Sequence, residues 1–505
     1  MQTLILDGNS LTIETLVKAI EIHARISLSD VARGNVRAAR AVVDRWVERR
    51  EIVYGVTTGF GEFANVVIPP EELELLQENL IVSHSAGAGD FLPDDIVRTM
   101  MILRVNALAK GHSGIREGTL DTLIAMLNAD IIPAVPSQGS VGSSGDLAQL
   151  SHIALALIGR GTVLENGKAV PSGEAMRRAG IEPVSLKAKE GLALINGTQM
   201  MCAFGALTVA QARNLADTAD IAGAFSLDAL RGTDRAFDER LHRLRGFRGQ
   251  SKTAENLRDL LSGSEIRKSH IEGDSRVQDA YSLRCMPQVH GASRDAIGYV
   301  WNVISTELNS ANDNPLIFPD TEEHIEGGNF HGQPLALALD FLAIACAELG
   351  NISERRTERM VNGTLSGGLP RFLARRGGVE SGMMIAQYTA AAIVSENKIL
   401  CHPASVDSIP TSANQEDHNS MGSIAAQKAH KVVDSVETIL AVELLCAAQA
   451  IEFHRPLTTS RPLEAVLQII RSAVPKPEGD RVVYHDIQAV KQLIHSGAIN
   501  RAVVL

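Results

Sequence analysis

Small and aliphatic residues recur every three or four positions over several unusually long stretches of this chain. The longest stretch runs from Ser423 to Phe453, and its apolar stripe consists of Ala425, Ala429, Val432, Val436, Leu440, Leu444 and Ala447. Residues 199–230, 289–310 and 335–360 show the same periodicity. Because an α-helix has 3.6 residues per turn, this spacing places the apolar side chains on one helix face. Helices of this length without internal breakers predict a mainly α-helical fold built around a long bundle.

Composition and the remaining patterns refine this expectation. Aromatic residues make up only 4% of the 505 residues against 45% hydrophobic residues, so the core must consist mainly of Ala, Leu, Ile and Val, which favours close helix packing. Strand patterns are few and short, at 3–6 and 161–164. We expect two domains, residues 1–190 and residues 191–505, with the bundle in the second. The glycine-rich segment 363–382 is predicted to be a surface loop.

Charge and cysteine usage exclude several function classes. The formal net charge of −11 argues against a nucleic-acid partner, because such proteins present a basic face. The five cysteines are scattered and never form a C-x-x-C pair, which argues against disulfides and a zinc site and suits a reducing cytoplasm. No metal is expected. Residues 1–12 lack a signal-peptide pattern, and the uncharged segment 191–212 contains Asn196 and Gln199, so we predict a buried helix and no membrane segment.

The segment GSVGSSGDL, from Gly139 to Leu147, has a backbone unusually free of bulky side chains. If the Gly145 amide nitrogen reaches the Ser143 carbonyl carbon, ring closure and loss of two waters, the second carrying the Ser144 hydroxyl, give an imidazolone with an exocyclic methylene. That group is an electrophile that no unmodified side chain supplies. On composition alone, an ordinary loop is the commoner outcome. A phosphate-binding loop is disfavoured, because no Lys-Ser or Lys-Thr follows Gly145.

Six motifs in matching order, between Tyr54 and Phe453, decide between these alternatives. They are YGVTTGFG from Tyr54, GSVGSSGDLAQLSH from Gly139, EGLALINGTQ from Glu190, VQDAYSLRC from Val277, GGNFHGQP from Gly327 and HPASVDSIPTSANQEDH from His402. With these motifs the chain resembles the aromatic amino acid lyases, most closely those that act on histidine. The resemblance implies a long central helix bundle of the fumarase/aspartase-like type, with a smaller N-terminal domain that carries the electrophile loop.

The resemblance also implies a built-in cofactor. In this family an Ala-Ser-Gly triad matures without other enzymes into 4-methylidene-imidazol-5-one (MIO), here from Ser143, Ser144 and Gly145. Ser143 departs from the usual Ala, but its side chain takes no part in ring closure. Its hydroxyl is a candidate for local hydrogen bonds that slow cyclisation. Gln149 replaces a usual Pro just after the loop.

The chemistry explains why an electrophile and a base are both needed. The β C–H proton of an amino acid is barely acidic and an amine is a poor leaving group, so covalent catalysis is combined with general base catalysis. The family match makes Tyr54 the base. Since the pKa of an unperturbed tyrosine is about 10, lowering it to about 7 needs roughly 4 kcal/mol of differential stabilisation of the charged form. We expect the MIO site, a nearby cation or helix N-termini to supply this stabilisation.

The family match assigns roles to five further residues. Arg284 would clamp the substrate carboxylate with its planar fork, and Tyr281, three residues earlier, would share its helix face. Asn196 would bind that carboxylate or orient the MIO group. Gln278 and Tyr281 would line the site, and Phe330 would pack near the electrophile.

Two places indicate the substrate. Ser83 and His84 match the selectivity position of the family, although some tyrosine enzymes share this pair. Glu416 discriminates better, because the phenylalanine and tyrosine enzymes usually carry Gln there. A carboxylate accepts a hydrogen bond from an imidazole N–H, which a phenyl ring does not offer. We therefore expect non-oxidative deamination of L-histidine to trans-urocanate and ammonia, the first step of histidine catabolism.

Alternatives from the same family and from another class stay open. The chain could be a tyrosine or phenylalanine ammonia-lyase, an aminomutase, or a non-catalytic relative whose loop never cyclises. The family resemblance implies a homotetramer whose active sites are shared between subunits, acting on a small-molecule amino acid with no nucleic-acid or membrane partner.

Overall fold

A computed structural model describes residues 2–165, 167–274 and 276–503. Four long helices dominate it: Gln199–Ala229, Met286–Glu307, Gln333–Val361 and Gly422–Ile451. Each coincides, within three residues at either end, with a stretch of helical periodicity in the sequence, so the predicted long helices are confirmed. Their length reflects the absence of interior proline and the abundance of Ala and Leu, which have high helix propensity.

The chain divides into two compact units that alternate along the sequence. The first unit contains residues 1–207, 301–340 and 403–427, and the second contains residues 208–300, 341–402 and 428–505. Four of the five boundaries therefore fall inside the long helices, whereas a single boundary at residue 190 was predicted from the sequence.

The first unit contains all strands that the described residues form, as four two-stranded pairs. Thr3–Leu6 pairs with Arg25–Leu28 in parallel, and the antiparallel pairs are Ala88–Phe91 with Pro136–Gln138, Thr162–Glu165 with Lys168–Pro171, and Leu316–Phe318 with Glu323–Ile325. The two strands predicted from sequence are present. The shorter helices of this unit are Ile13–Glu21, Asp30–Arg49, Leu73–His84, Asp94–Ala109, Glu117–Asn128, Leu147–Leu157, Ser172–Arg178 and Glu190–Ile195.

The described residues of the second unit form helices joined by loops, without any paired strands. Its shorter helices are Glu239–Arg243, Arg248–Leu261, Glu265–Lys268, Tyr281–Arg284, Met384–Leu400, Arg461–Ala473, Val483–His495 and Ala498–Ala502. Inside this unit the long helices pack closely. A Cβ atom on Gly223 would lie 2.3 Å from the Met286 sulfur, and one on Gly350 would lie 2.9 Å from Ile439. The scarcity of aromatic residues thus corresponds to helices that approach through glycine and alanine.

Two long apolar segments of the chain lie mostly inside the protein. Residues 190–212 form the helix Glu190–Ile195, a polar break at 196–198, and the start of Gln199–Ala229, and Gly191 to Met201 are buried. Gln333–Val361 is long and apolar enough to cross a membrane by length and composition, but 67% of its most apolar window is buried inside the protein, as in a core helix.

Candidate active site

A pocket of about 900 Å³ lies within the first unit. This volume is in the range of small-molecule binding sites. Seven of the residues singled out in the sequence line it: Tyr54, His84, Ser143, Ser144, Asn196, Phe330 and Glu416. They come from separate parts of the chain, so the fold brings together five of the six motifs.

The electrophile loop has the backbone geometry that its glycines suggested. Gly142 and Gly145 have φ values of +73° and +78°, a region that other residues rarely adopt. A Cβ atom on Gly145 would lie 2.0 Å from the Gly197 carbonyl oxygen. Only glycine fits here, because the two backbones pair directly. Ser143 is 8% exposed, and no described residue forms a hydrogen bond with its hydroxyl, so local bonding of that hydroxyl is not observed.

Asp146 anchors the end of this loop. Its backbone N–H donates to the Gly197 carbonyl at 2.7 Å, and its carboxylate accepts from the Met200 and Met201 amides at 2.9 and 3.0 Å. The Ser423 hydroxyl also donates to it at 2.7 Å. Burial raises the pKa of Asp146 to about 6 despite these bonds. The sequence analysis assigned it no role, although it directly follows Gly145 in the quoted motif.

Asn196 connects the loop to a buried arginine. Its side-chain amide donates to the Ser144 carbonyl oxygen at 3.0 Å, and its own backbone carbonyl accepts from Arg104 at 3.0 Å. Arg104 also donates to the Ala193 carbonyl and to Gln199, so it caps the end of the helix Glu190–Ile195. The only sequence signal for Arg104 is that it is the one charged residue in the second half of the helix Asp94–Ala109.

Tyr54 lies in a turn between two buried valines. Val53 and Val56 pack into a cluster with Trp46 and Leu73, and each buried aliphatic side chain contributes about 1.5–3 kcal/mol relative to exposure. The Tyr54 hydroxyl accepts a hydrogen bond from the Gly61 amide at 3.3 Å. Burial, with the charges of nearby carboxylates including Glu416, raises the pKa of Tyr54 despite that bond. The described surroundings alone therefore do not lower this pKa, and the source of the expected stabilisation stays a prediction.

His84 ends the helix Leu73–His84 and faces the pocket. Its Nδ1 lies 3.2 Å from the hydroxyl of Ser83, which does not itself line the pocket. Burial lowers the pKa of His84, although the nearby Glu416 opposes the shift. The ring is thus neutral near pH 7, able to donate at one nitrogen and accept at the other.

The Glu416 carboxylate is held by two hydroxyl groups. Ser144 donates to its Oε1 at 3.1 Å, and Thr411 donates to its Oε2 at 2.7 Å. Backbone bonds join Thr411 and Glu416 in both directions. The intervening Ser412, Ala413 and Asn414 all have φ between +50° and +69°, a left-handed turn that costs about 1–2 kcal/mol per residue. Contacts around this turn must offset that cost.

The pocket lining is acidic. Its charged residues are Glu62, Glu326, Glu416 and Asp417, and among the described lining residues there is no Lys or Arg. His331 and His418 also line it, with rings stacked at 5.8 Å and 6°. His331 lies in the motif GGNFHGQP and His418 ends the motif that begins at His402, but no role was predicted for either histidine from the sequence. A substrate carboxylate finds no cationic partner in this lining.

The remaining predicted residues lie in the second unit. Tyr281–Arg284 forms a single helical turn, and the Arg284 guanidinium lies 4.6 Å from the centre of the Tyr281 ring, as the spacing of three predicted. Tyr281 is 71% exposed and Gln278 is exposed as well. None of the three lines the pocket described above.

The described residues include no group of three or more His, Cys, Asp or Glu side chains placed to hold a metal ion. The residues present do fit a group formed from the chain itself. The paired glycines leave no room for side chains beside the loop, and Asn196 already donates to the Ser144 carbonyl.

Comparisons with known proteins agree with this geometry. The family model for aromatic amino acid lyases matches residues 11–472. The chain is 53% identical to the histidine ammonia-lyase of Caldanaerobacter subterraneus subsp. tengcongensis, over 99% of this chain and 98% of that protein. The crystal structure of histidine ammonia-lyase from Trypanosoma cruzi superposes with a TM-score of 0.93 at 50% identity, covering 99% and 95% of the two chains. Tyrosine aminomutase from Streptomyces globisporus gives 0.93 at 39% identity, covering 99% and 98%.

Proposed function

The chain belongs to the aromatic amino acid lyase family, and on that premise we propose that it deaminates L-histidine to trans-urocanate and ammonia. The observation that carries this proposal is the position of Glu416. Its carboxylate lies 3.1 Å from the hydroxyl of Ser144, the residue that would provide the electrophilic carbon, and it shares a pocket with the neutral His84. An imidazole ring offers N–H and nitrogen groups to this pair, whereas a phenyl ring offers neither.

The electrophile would come from Ser143, Ser144 and Gly145. The Gly145 nitrogen bonds to the Ser143 carbonyl carbon and one water leaves, and the Ser144 hydroxyl then leaves with the Ser144 α-hydrogen as a second water. When formed, the MIO group supplies an electrophilic methylene carbon. Asn196 would hold its carbonyl oxygen, since it already donates to the Ser144 oxygen, and loss of the Ser144 hydroxyl would free Glu416 Oε1 for the substrate.

Tyr54 would take the β proton of the substrate. Its pKa is raised by burial and by neighbouring carboxylates, so the unit that contains it does not activate it. A cation brought to the pocket would lower this pKa and would also bind the substrate carboxylate. Arg284, in the second unit with the exposed Tyr281 and Gln278, has the chemistry for both tasks.

These observations support an enzyme whose active site is completed by another subunit. An acidic pocket without a lysine or arginine in its described lining, and an exposed Tyr281 beside a half-buried Arg284 outside it, are what shared sites in a homotetramer would require. We also place the enzyme in the cytoplasm, since none of the five cysteines, all within the described residues, forms a disulfide.

The first experiment incubates the purified chain separately with L-histidine, L-tyrosine and L-phenylalanine and follows the ultraviolet absorbance of each conjugated acid. Intact mass is measured on the same sample. We expect product from histidine alone and a mass lower than the sequence mass by two waters. Product from tyrosine or phenylalanine instead would overturn the substrate, and a full-mass inactive chain would overturn the electrophile.

The shared site is tested by mixing two inactive variants. Ser144→Ala removes the electrophile and Arg284→Ala removes the proposed clamp. If sites combine residues of different subunits, unfolding and reassembling the two together regenerates some intact sites. Activity that returns only in the mixture supports sharing, and a mixture as inactive as its components contradicts it.

A further inference from the structure

His331 connects two segments that line the pocket. It follows Phe330, in a turn closed by its own amide donating to the Gly328 carbonyl at 2.9 Å, and it precedes the helix that begins at Gln333. Its imidazole Nε2 lies 3.1 Å from the backbone carbonyl oxygen of His418, which is two residues after Glu416. One imidazole thus contacts both the Phe330 turn and the Glu416 segment.

The hydrogen bonds fix which nitrogen of His331 carries the proton. The Gln333 backbone amide donates to Nδ1 at 3.3 Å, so Nδ1 is the acceptor. Nε2 then carries the hydrogen and donates to the His418 carbonyl. The parallel stacking of the two rings, 5.8 Å apart, adds a second contact between the same segments.

The segment that receives this bond is strained. Ser412, Ala413 and Asn414 are all in the left-handed region, and only Gln415 separates them from Glu416. Inside the segment, the Asn419 side chain donates to the Ile409 carbonyl and, at 3.3 Å, to the Thr411 hydroxyl. His331 adds a contact from a separate part of the chain, and it is attached to the start of a 29-residue helix. A strained turn keeps its geometry only if its surroundings hold it, and a long helix is a rigid support.

We propose that His331 is a positioning residue for the histidine reaction, one that holds the Glu416 carboxylate at the distance the substrate imidazole requires. This inference rests on the proposed function, because it specifies how the residue that recognises the imidazole is kept in place. His331 acts through Glu416 and needs no contact with the reacting atoms.

Two uncharged amide variants of His331 test whether its Nε2 donor is needed separately from its Nδ1 acceptor. His331→Gln places an amide nitrogen near the position of Nε2 and so retains the donor to the His418 carbonyl. His331→Asn places its amide near Nδ1 and loses that donor. We expect kcat/KM for histidine to fall about 10-fold in H331N, because a loss of that size corresponds to the net free energy of one hydrogen bond. In H331Q it should fall no more than about 3-fold.

A double-mutant cycle with Glu416→Gln distinguishes positioning from a general structural role. If His331 acts through Glu416, H331N lowers the residual activity of E416Q by less than about 2-fold. The two His331 variants, H331N and H331Q, are also expected to retain the two-water mass deficit and the wild-type melting temperature. Should H331N be insoluble, His331→Phe keeps a ring without a donor and is judged by the same criteria.

The outcomes are distinguishable. A wild-type chain that leaves histidine unchanged contradicts the proposed function itself. An active wild type with H331N equal to H331Q, or with the H331N and E416Q losses multiplying, overturns the role of His331 alone. An H331N chain at full sequence mass would make His331 a maturation residue and overturn positioning.

Discussion

The pocket of the first unit and a buried ionic cluster of the second hold their charged groups in opposite ways. The cluster consists of Asp220, His290, Arg294, Arg356 and Glu443. Arg356 donates to both oxygens of Glu443 at 2.5 and 2.9 Å, and both side chains are fully buried. In the pocket, the Glu416 carboxylate accepts hydrogen bonds only from hydroxyl groups among the described residues, and no lysine or arginine lines the pocket there.

The pKa values in the cluster and in the pocket differ in the same way. Burial alone would raise the pKa of Asp220, but Arg294 and His290 outweigh it and lower the pKa. In the pocket nothing comparable offsets burial and the neighbouring carboxylates, so the pKa of Tyr54 rises. Each buried charge of the cluster has a partner of opposite charge, whereas the pocket carboxylates have no cation in the described lining and can bind a ligand. The following variants test this difference.

Removing the electrophile should have the largest effect. Ser144→Ala leaves no hydroxyl to depart as the second water, so turnover of histidine should fall at least about 1000-fold. The measurement is ultraviolet product formation with intact mass. Ser143→Ala is the matched control and should still lose two waters, because its side chain takes no part in the ring. An active Ser144→Ala chain would contradict the proposed chemistry.

Breaking the buried pair should affect stability rather than chemistry. Arg356→Met leaves the Glu443 carboxylate buried without its guanidinium, which should lower the free energy of unfolding by about 3–5 kcal/mol. Denaturant unfolding measures this loss. The double variant R356M/E443Q should recover part of it, since the uncompensated charge is gone. A single variant as stable as wild type would show that the pair contributes nothing.

Glu416→Gln should affect catalysis rather than stability, the reverse of Arg356→Met. The side chain keeps its size but loses the charge that would bind the imidazole, so kcat/KM for histidine should fall about 100-fold with the unfolding free energy within about 0.5 kcal/mol of wild type. Steady-state kinetics and denaturant unfolding on one preparation suffice. Full histidine turnover in this variant would eliminate the imidazole role of Glu416.

The smallest expected effect is a pH dependence at the surface of the second unit. The hydrogen bond to Glu437 raises the pKa of His495. A raised folded-state pKa means that the stabilisation is present below the unfolded value, about 6.5, and is lost as pH rises through the folded value. His495 is 61% exposed, so His495→Gln should cost well under about 1 kcal/mol at pH about 5.5, and the variant should match wild type at pH about 8.5. Thermal melts at both pH values check the sign.

Some of this architecture follows from local sequence. The four long helices were predictable because an apolar period of 3.6 without interior proline is a strong local signal. The Gly145 conformation was predictable for a similar reason, as bare glycine segments adopt backbone angles that other residues avoid. Five of the six motifs also identified residues that meet in the pocket, although not their distances.

Other features depend on contacts between residues far apart in the chain. The stretch 354–359, at the end of a predicted helix, is rich in charged residues, which are usually exposed, yet its Arg356 is fully buried. Its partner Glu443 is 87 residues away. Arg104 and Asp146 were missed similarly, since their roles depend on carbonyls and amides around residues 193–201.

The helical class, the glycine-rich loop at 139–147 and the family could be recognised from the sequence, because periodicity, glycine content and motifs are patterns along the chain. The electrostatics of the pocket could not. The acidic lining, the raised pKa of Tyr54 and the His331 contact with the Glu416 segment arise from side chains that folding brings together. Burial and pairing act through space, so the order of residues along the chain does not reveal them.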